Sequence, residues 1–343
     1  MQQHKTGNKS FLTLPGWTVS EPFKDTVKIG RQTIYVAGIE ATHPVHGPVV
    51  GSAGSVEAYP LAQAWFEVIE RSAILDNLDR TQFDCLDANK GRFIRRAKGS
   101  EVFPQTAASD SVVPPSFQYA KSNGVALHDS WSEACKRACF ELVERHLVLT
   151  SWVGTTEVKR AAPEVLGSAF ARISDVYKAV PLDFGSQAVT AFKNLIHVAG
   201  VVLLPIDKAH PLIIGFGAGF SKQDAWRKAS GESWQRLGFL WGEEIPASTP
   251  PFLASPLYHQ DYYLYPAHHL LLEKWFAGAY FRPDATRRSE ILNVSFASMT
   301  SASRPEYFVS KALSAATIPL VFGRPADGLL STLPEERIIH PIA

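Results

Sequence analysis

Cysteine is scarce in this chain: Cys85, Cys135 and Cys139 are the whole complement. The number is odd, no CxxC pair occurs, and no Cys/His cluster has zinc spacing. A disulfide scaffold and a structural zinc site are therefore excluded. Cys135 and Cys139 stand i,i+4 on one apolar side of a predicted helix, so buried free thiols in a reducing compartment are expected. An excess of charge is also missing, with 34 Lys and Arg against 33 Asp and Glu. No bulk field drives the chain onto nucleic acid or an anionic membrane. The longest apolar run, residues 198–206, is too short to span a bilayer and reads as a buried strand. The first residues, MQQHKTGNKS, lack the apolar core of a secretory signal. The GNKS within them lacks the upstream glycine and preceding strand of a P-loop. Gly215, Gly217 and Gly219 do not have GxGxxG spacing, and no Ser/His/Asp or Cys/His nucleophile signature is present. With 45% hydrophobic and 20% charged residues, the expectation is an ordinary globular protein of the cytoplasm.

What the chain does have is one pattern written three times. Residues 122–152, SNGVALHDSWSEACKRACFELVERHLVLTSW, begin with a Gly-containing turn and run into a predicted helix. At about 100° per helical residue, Glu133, Arg137, Glu141 and Glu144 fall within about 80° of arc, with Arg145 beside them. Trp131, Ala134, Cys135, Ala138, Cys139 and Leu142 form the opposite, apolar stripe. On one isolated helix the charged strip would read as a solvated face with internal ion pairs. Residues 51–73, however, repeat the pattern, with Ala64, Phe66, Glu67, Glu70 and Arg71 matching Ala138, Phe140, Glu141, Glu144 and Arg145. Residues 215–236 repeat it again, with Glu232, Gln235 and Arg236. Gln63 and Lys228 lie one turn before Glu67 and Glu232 on the same strips. The spacing is too uneven for a solenoid and suits three pseudo-equivalent α/β units packed around a centre. Three helices meeting there would gather five carboxylates that cannot all stay ionised without cations. Carboxylates suit Mg²⁺, and the interleaved arginines suit phosphate. The residues alone point to a multi-carboxylate, Mg²⁺-dependent nucleotide site. The alternative is three surface helices that share a packing motif.

The ExxER, ExxER and ExxQ blocks, each behind a glycine-rich stretch, resemble the YcaO family of ATP-dependent peptide-modifying enzymes. The resemblance runs from about Gly30 to the end of the sequence. It implies a YcaO-like α/β (α+β) fold and assigns Glu67, Glu70, Glu141 and Glu144 to Mg²⁺. It further assigns Gln63, Glu133, Arg145, Glu232, Gln235 and Arg71 to ATP. Gln63 stands where the family often has Ser, a departure that keeps hydrogen-bonding capacity. A short Pro-containing tail, residues 323–343, loosely resembles the ending of azoline-forming members. If it is ordered into the site, the carboxylate of Ala343 is a candidate general base; a frayed terminus is the alternative.

The rest of the chain is read as one YcaO-like domain over residues 26–343, after an irregular segment 1–25. Motif helices are expected near 60–78, 131–150 and 222–242. A strand or hairpin is expected over 27–41, with Gly30 at the turn. Residues 81–103, with five Lys and Arg, read as a basic surface loop. Residues 104–116 read as a further loop. Strands are expected near 182–184, 192–198, 201–205, 212–217, 292–296 and 319–322, and a helix near 304–316. The Pro- and Tyr-dense residues 246–267 read as a long irregular loop suited to gripping a peptide.

The function implied is ATP-dependent backbone modification of a ribosomal precursor peptide. Its leading form is cyclodehydration of Cys, Ser or Thr to an azoline through amide O-phosphorylation. Thioamide or amidine formation would use the same nucleotide residues, and a non-catalytic nucleotide-binding scaffold is the non-enzymatic alternative. The resemblance also implies an E1-like peptide-binding partner protein and, for azoles, a flavin-dependent dehydrogenase.

Overall fold

A computed structural model of the chain describes residues 13–104, 115–283, 291–299 and 306–343. The expected loop at 104–116 falls mostly outside these residues. The first sheet contains β1 (Thr18–Val19), β2 (Phe23–Ile29), β3 (Gln32–His43) and β4 (Gly47–Ser55). The β2–β3 turn falls at Gly30, whose φ of +52° favours glycine. Leu14 and Trp17 are buried in the core beneath this sheet, so the expected irregular segment 1–25 is, from Leu14 onward, part of the fold.

The first motif helix, α1 (Leu61–Asp76), lies directly on β4. Here the structure corrects the expected glycine turn: GSAGS is strand. The reason is close approach. A Cβ on Gly51 would sit 2.0 Å from the Ala64 carbonyl oxygen and 2.7 Å from the Val68 nitrogen. Only glycine lets the helix backbone come this near.

The expected basic loop at 81–103 is instead a hairpin, β5 (Gln82–Leu86) and β6 (Phe93–Lys98), followed by the one-turn α2 (Gly99–Val102). Phe83 and Cys85 alternate into the core, and the Asp87 carboxylate closes the turn by accepting from the Asn89 and Lys90 N–H groups. Charge had masked that period-2 pattern. After β7 (Phe117–Tyr119), a turn ending at Gly124 leads into β8 (Val125–His128) and then α3 (Trp131–Val153). Most of α3 is buried, which accounts for its length and apolar content. It ends at Gly154, in the left-handed region at φ +92°.

β9 (Lys159–Arg160), β10 (Tyr177–Val189), β11 (Phe192–Pro205) and β12 (Ile213–Gly219) form an antiparallel sheet in the order β12-β11-β10-β9. Residues 192–198 and 201–205, expected as two strands, are one. α4 (Lys222–Leu240) packs on β12 as α1 packs on β4. A Cβ on Gly217 would lie 2.3 Å from the Ala225 carbonyl oxygen, so this glycine stretch too is strand.

Within the expected loop 246–267 the chain forms α5 (Pro256–Leu264), capped by the Ser255 hydroxyl with Pro256 in its first turn. α6 (His269–Phe276) follows. β13 (Ser295–Ser298) and β14 (Phe308–Leu313) complete a five-stranded sheet, β6-β5-β13-β14-β8. The expected helix at 304–316 is therefore strand β14 where described: its register against β8 buries Val309, Ser310 and Lys311. β15 (Val321–Gly323) pairs with β7, and two short helices close the chain, α7 (Gly328–Ser331) and α8 (Glu335–Ile338). The segment after α8 is seated, not frayed, with Ile339, His340 and Ile342 buried. The α/β character is as expected. The three motif helices each lie on a strand, but the sheets behind them hold four, five and four strands.

Candidate nucleotide and metal site

The glycine-mediated approach of helix to strand has a chemical consequence. It brings the first glutamate of each ExxE or ExxQ block onto a strand N–H. Glu67 Oε2 accepts from the Ser52 N–H of β4 at 2.7 Å. Glu232 Oε2 accepts from the Phe216 N–H of β12 at 2.7 Å. Glu141 accepts from the Val125 N–H of β8. The next polar residue of the motif reaches a neighbouring unit. Glu70 of α1 accepts from the Leu127 N–H of β8 at 3.1 Å, and Gln235 of α4 donates to the Ser52 carbonyl of β4 at 3.2 Å. α1 is thus tied to the strand that leads into α3, and α4 to the strand beneath α1.

These carboxylates are short of counter-charge. Burial pushes Glu70 up to about 8, with Glu141 and Glu67 adding repulsion. Burial raises Glu141 to about 7 against the pull of Arg145 and Lys311. Burial lifts Glu144 to about 8, opposed by Arg145 and reinforced by Glu232 and Glu141. Each shift means that ionising these groups in the folded protein requires additional positive charge.

The arginines of the three blocks differ. Arg71 is 49% exposed and pairs with Glu67 at 2.6 Å. Arg145 is 15% exposed, 3.6 Å from Glu144, and its Nε and Nη1 have no hydrogen-bond partner. Arg236 is 17% exposed and its Nε is also unpartnered; its Nη1 is 3.5 Å from the Ala343 carbonyl oxygen. Buried, unsatisfied guanidinium N–H groups beside carboxylates are a standing demand for an anion.

A cavity of about 740 Å³ opens beside α3 and α4, bordered by Glu133, Arg137, Glu141, Glu144 and Lys228 and by the strand residues Phe216 and Gly217. Glu133 lies at its rim, where Lys136 at 2.5 Å holds its carboxyl below the usual range. Glu67, Glu70, Glu232 and Arg145 are not in this wall. Gln63 is exposed and makes no hydrogen bond among the described residues. The structure therefore joins Glu67, Glu70, Glu141, Glu144, Glu232, Gln235 and Arg145 electrostatically and through shared strands. It leaves Gln63 and Arg71 at the surface.

Two further cations belong to the arrangement. Lys228 donates to the Ala218 carbonyl at 2.8 Å and lies 4.3 Å above the Phe140 ring, a cation–π contact on the cavity wall. Its place on the Glu232 strip was legible from spacing. Lys311 is buried near Glu141 and Glu70, which oppose the desolvation that lowers its ammonium to about 8. No local sequence signal marks Lys311; it arrives from β14, far along the chain.

Comparison with known proteins decides the family. The model of the family described as YcaO cyclodehydratase, ATP- and Mg²⁺-binding, matches residues 93–291, more than half of the chain. The chain is a YcaO protein. ATP and Mg²⁺ are the cofactors of that family by its description. The matched span contains α3 and α4 but not α1, so the place of Glu67 and Glu70 rests on their contacts. Among solved structures, the chain is similar to YcaO from Methanopyrus kandleri bound with AMPPCP and Mg²⁺, at 16% identity and a TM-score of 0.51. That likeness covers 86% of this chain and 84% of the other. It is also similar to a heterocyclase in complex with substrate and cofactor, at 15% identity and a TM-score of 0.52, covering 88% of this chain but half of that one. The E. coli microcin synthetase McbBCD complex with pro-MccB17 bound gives 12% identity and 0.52, covering 85% and 87%. At these identities the likeness establishes the fold. No curated protein matches the chain. No helix among the described residues is long and apolar enough to cross a membrane.

The residues fit the family's cofactors. Among the described residues no three His, Cys, Asp or Glu side chains are gathered closely enough to cage a metal. Mg²⁺ does not require such a cage: it takes one or two carboxylates and fills its shell with waters and substrate phosphates. The unsatisfied Arg145 nitrogens supply the complementary demand for an anion.

Proposed function

We propose that this YcaO protein modifies the backbone of a peptide in an ATP-dependent reaction, and that its leading chemistry is azoline-forming cyclodehydration. The observation that carries the reading is the set of desolvated carboxylates Glu70, Glu141 and Glu144 interleaved with Arg145, whose buried nitrogens lack partners. The pair Glu67 and Glu70 and the pair Glu141 and Glu144 hold Mg²⁺ ions, and Arg145 holds phosphate oxygen. Glu133, Glu232 and Gln235 complete the nucleotide site; Arg71 and Gln63 act at its margin. When bound, Mg-ATP supplies the transferable phosphoryl group and the charge that the carboxylates need.

In the reaction, a Cys, Ser or Thr side chain of the peptide adds to the preceding amide carbonyl and releases its proton to solvent. The carbonyl oxygen takes the γ-phosphoryl group and ADP departs. The amide nitrogen then expels phosphate and loses its proton to solvent as the ring C=N forms. The chain's own part is to fix geometry and neutralise the charge that moves during transfer. No enzyme nucleophile is called for. Cys135 and Cys139 could not serve as one, since burial pushes both thiols up to about 12. The Ala343 position beside Arg236 supports a role for the tail at the same site. A separate E1-like peptide-binding protein, and a flavin-dependent dehydrogenase for azoles, are the partners this reading expects.

Calorimetry with ATP, with and without Mg²⁺, tests the nucleotide site on the wild type and on Glu144→Ala. Mg²⁺-dependent binding that Glu144→Ala abolishes is expected. A folded protein that binds no nucleotide, alone or with a partner, would sink the reading.

A further inference from the structure

Lys311 is 4% exposed and makes no ion pair among the described residues. A lone ion is costly to bury, so its surroundings must favour the charge in another way. Its Nζ donates to the carbonyl oxygens of Lys121 and Asn123, both at 2.8 Å, and lies 5.3 Å from the centre of the Phe103 ring. Glu141 and Glu70 add attraction from beyond ion-pair reach. The two carbonyls belong to the turn that ends at Gly124, φ +70°, and leads into β8. The ammonium therefore clamps this turn from β14, where Lys311 stands opposite Val125 in the register of the two strands.

What the turn sets up is the edge of β8. This strand ends the five-stranded sheet. The Gly124 carbonyl accepts from the Ala312 N–H of β14 at 2.8 Å. Backbone groups alternate in direction along a strand, so the Val125 and Leu127 N–H groups face away from β14. The Leu127 N–H goes to Glu70 at 3.1 Å, and the Val125 N–H is shared between the Ser122 carbonyl at 3.0 Å and Glu141. One glutamate of each ExxE pair thus leans on the N–H groups that follow the clamped turn. We propose that Lys311 is a positioning residue of the magnesium site: its hold on residues 121–123 fixes the β8 edge, and that edge aims Glu141 and Glu70. The inference rests on the assignment of those glutamates to Mg²⁺ and adds a residue that touches neither metal nor nucleotide.

Position and charge predict opposite signs. By Coulomb's law alone, loss of a cation beside carboxylates tightens metal binding. Loss of the clamp weakens it, as removal of an outer partner of a metal ligand does. The test measures Mn²⁺, a paramagnetic stand-in for Mg²⁺, by electron paramagnetic resonance on the full chain with a non-hydrolysable ATP analogue. Lys311→Met should lower Mn²⁺ affinity by about tenfold or more, after correction for the folded fraction. Hydrogen exchange in this variant should quicken at the Val125 and Leu127 amides. Unchanged or tighter Mn²⁺ binding by folded Lys311→Met overturns the inference. So does a loss of affinity with unchanged exchange at those two amides. If Lys311→Met does not fold, Lys311→Gln takes its place under the same criteria; if neither folds, Lys311 is structural and the inference falls. Glu70→Gln checks the underlying assignment. Full Mn²⁺ affinity in that variant, or no metal-dependent nucleotide binding by the wild type, removes the reading itself and the inference with it.

Discussion

Arg71 and Arg145 hold the same place in their ExxER blocks, yet one is half exposed and the other buried with idle nitrogens. Their substitutions should diverge accordingly. Arg145→Lys keeps the charge but loses the planar fork that grips phosphate, and should weaken Mg-ATP binding by about tenfold or more in calorimetry. Arg71→Lys should leave it within about twofold, since an exposed i,i+4 pair contributes about 0.3–0.5 kcal/mol. Sequence alone could not separate the two, because burial is decided by what packs over each helix. Equal losses from both substitutions would show that exposure does not set their roles.

At the scale of elements, glycine carries the architecture. Gly51→Ala places a methyl against the α1 backbone, so the helix must lift from β4. A loss of about 1–3 kcal/mol is expected in chemical denaturation. The lifted helix also draws Glu67 off the Ser52 N–H, so nucleotide affinity should fall with stability. Gly231 is the contrast: it lies inside α4 with nothing within 4 Å of an added Cβ. Gly231→Ala should stabilise by about 0.4–1 kcal/mol through helix propensity and the unfolded state. The segment after β15 is a further element with a role. The Trp152 indole donates to the Arg337 carbonyl at 2.8 Å, and the Arg337 guanidinium bonds back to Trp152 and stacks 3.6 Å from the Tyr280 ring. His259 accepts from the Gly323 N–H and therefore donates through Nδ1 to the His340 carbonyl. Arg337→Ala should free the tail, seen as faster amide exchange over residues 338–343, and so withdraw Ala343 from Arg236.

For the whole molecule, the carboxylate cluster couples stability to pH. Glu70 and Glu144 move from an ordinary 4.5 to about 8, and Glu141 to about 7. The folded state therefore holds protons that the unfolded state has already released. In the metal-free protein the stability these three groups contribute is fully present below about 4.5 and is lost as pH rises through 7 and 8. Thermal denaturation with chelator should show Tm declining between pH 5 and 8, and Mg-ATP should restore most of the loss at pH 8. A metal-free Tm that rises over that window would mean that other groups dominate the titration. No single helix carries this behaviour, because each Glu is raised partly by carboxylates on other helices.

The three motif helices, their acidic and basic strips and the buried state of the three cysteines were determined by the sequence itself. Helical period and residue type are local properties, and three copies of one strip make a shared site the economical explanation. Tertiary structure alone decided the rest. GSAGS reads as a turn until a helix is seen pressing on it, because glycine signals close approach as readily as reversal. Strand β14 was hidden because its pairing partner, β8, lies far back in the chain. Lys311 could not be found from spacing for the same reason: it meets Glu70 and Glu141 only after β14 has taken its place in the five-stranded sheet.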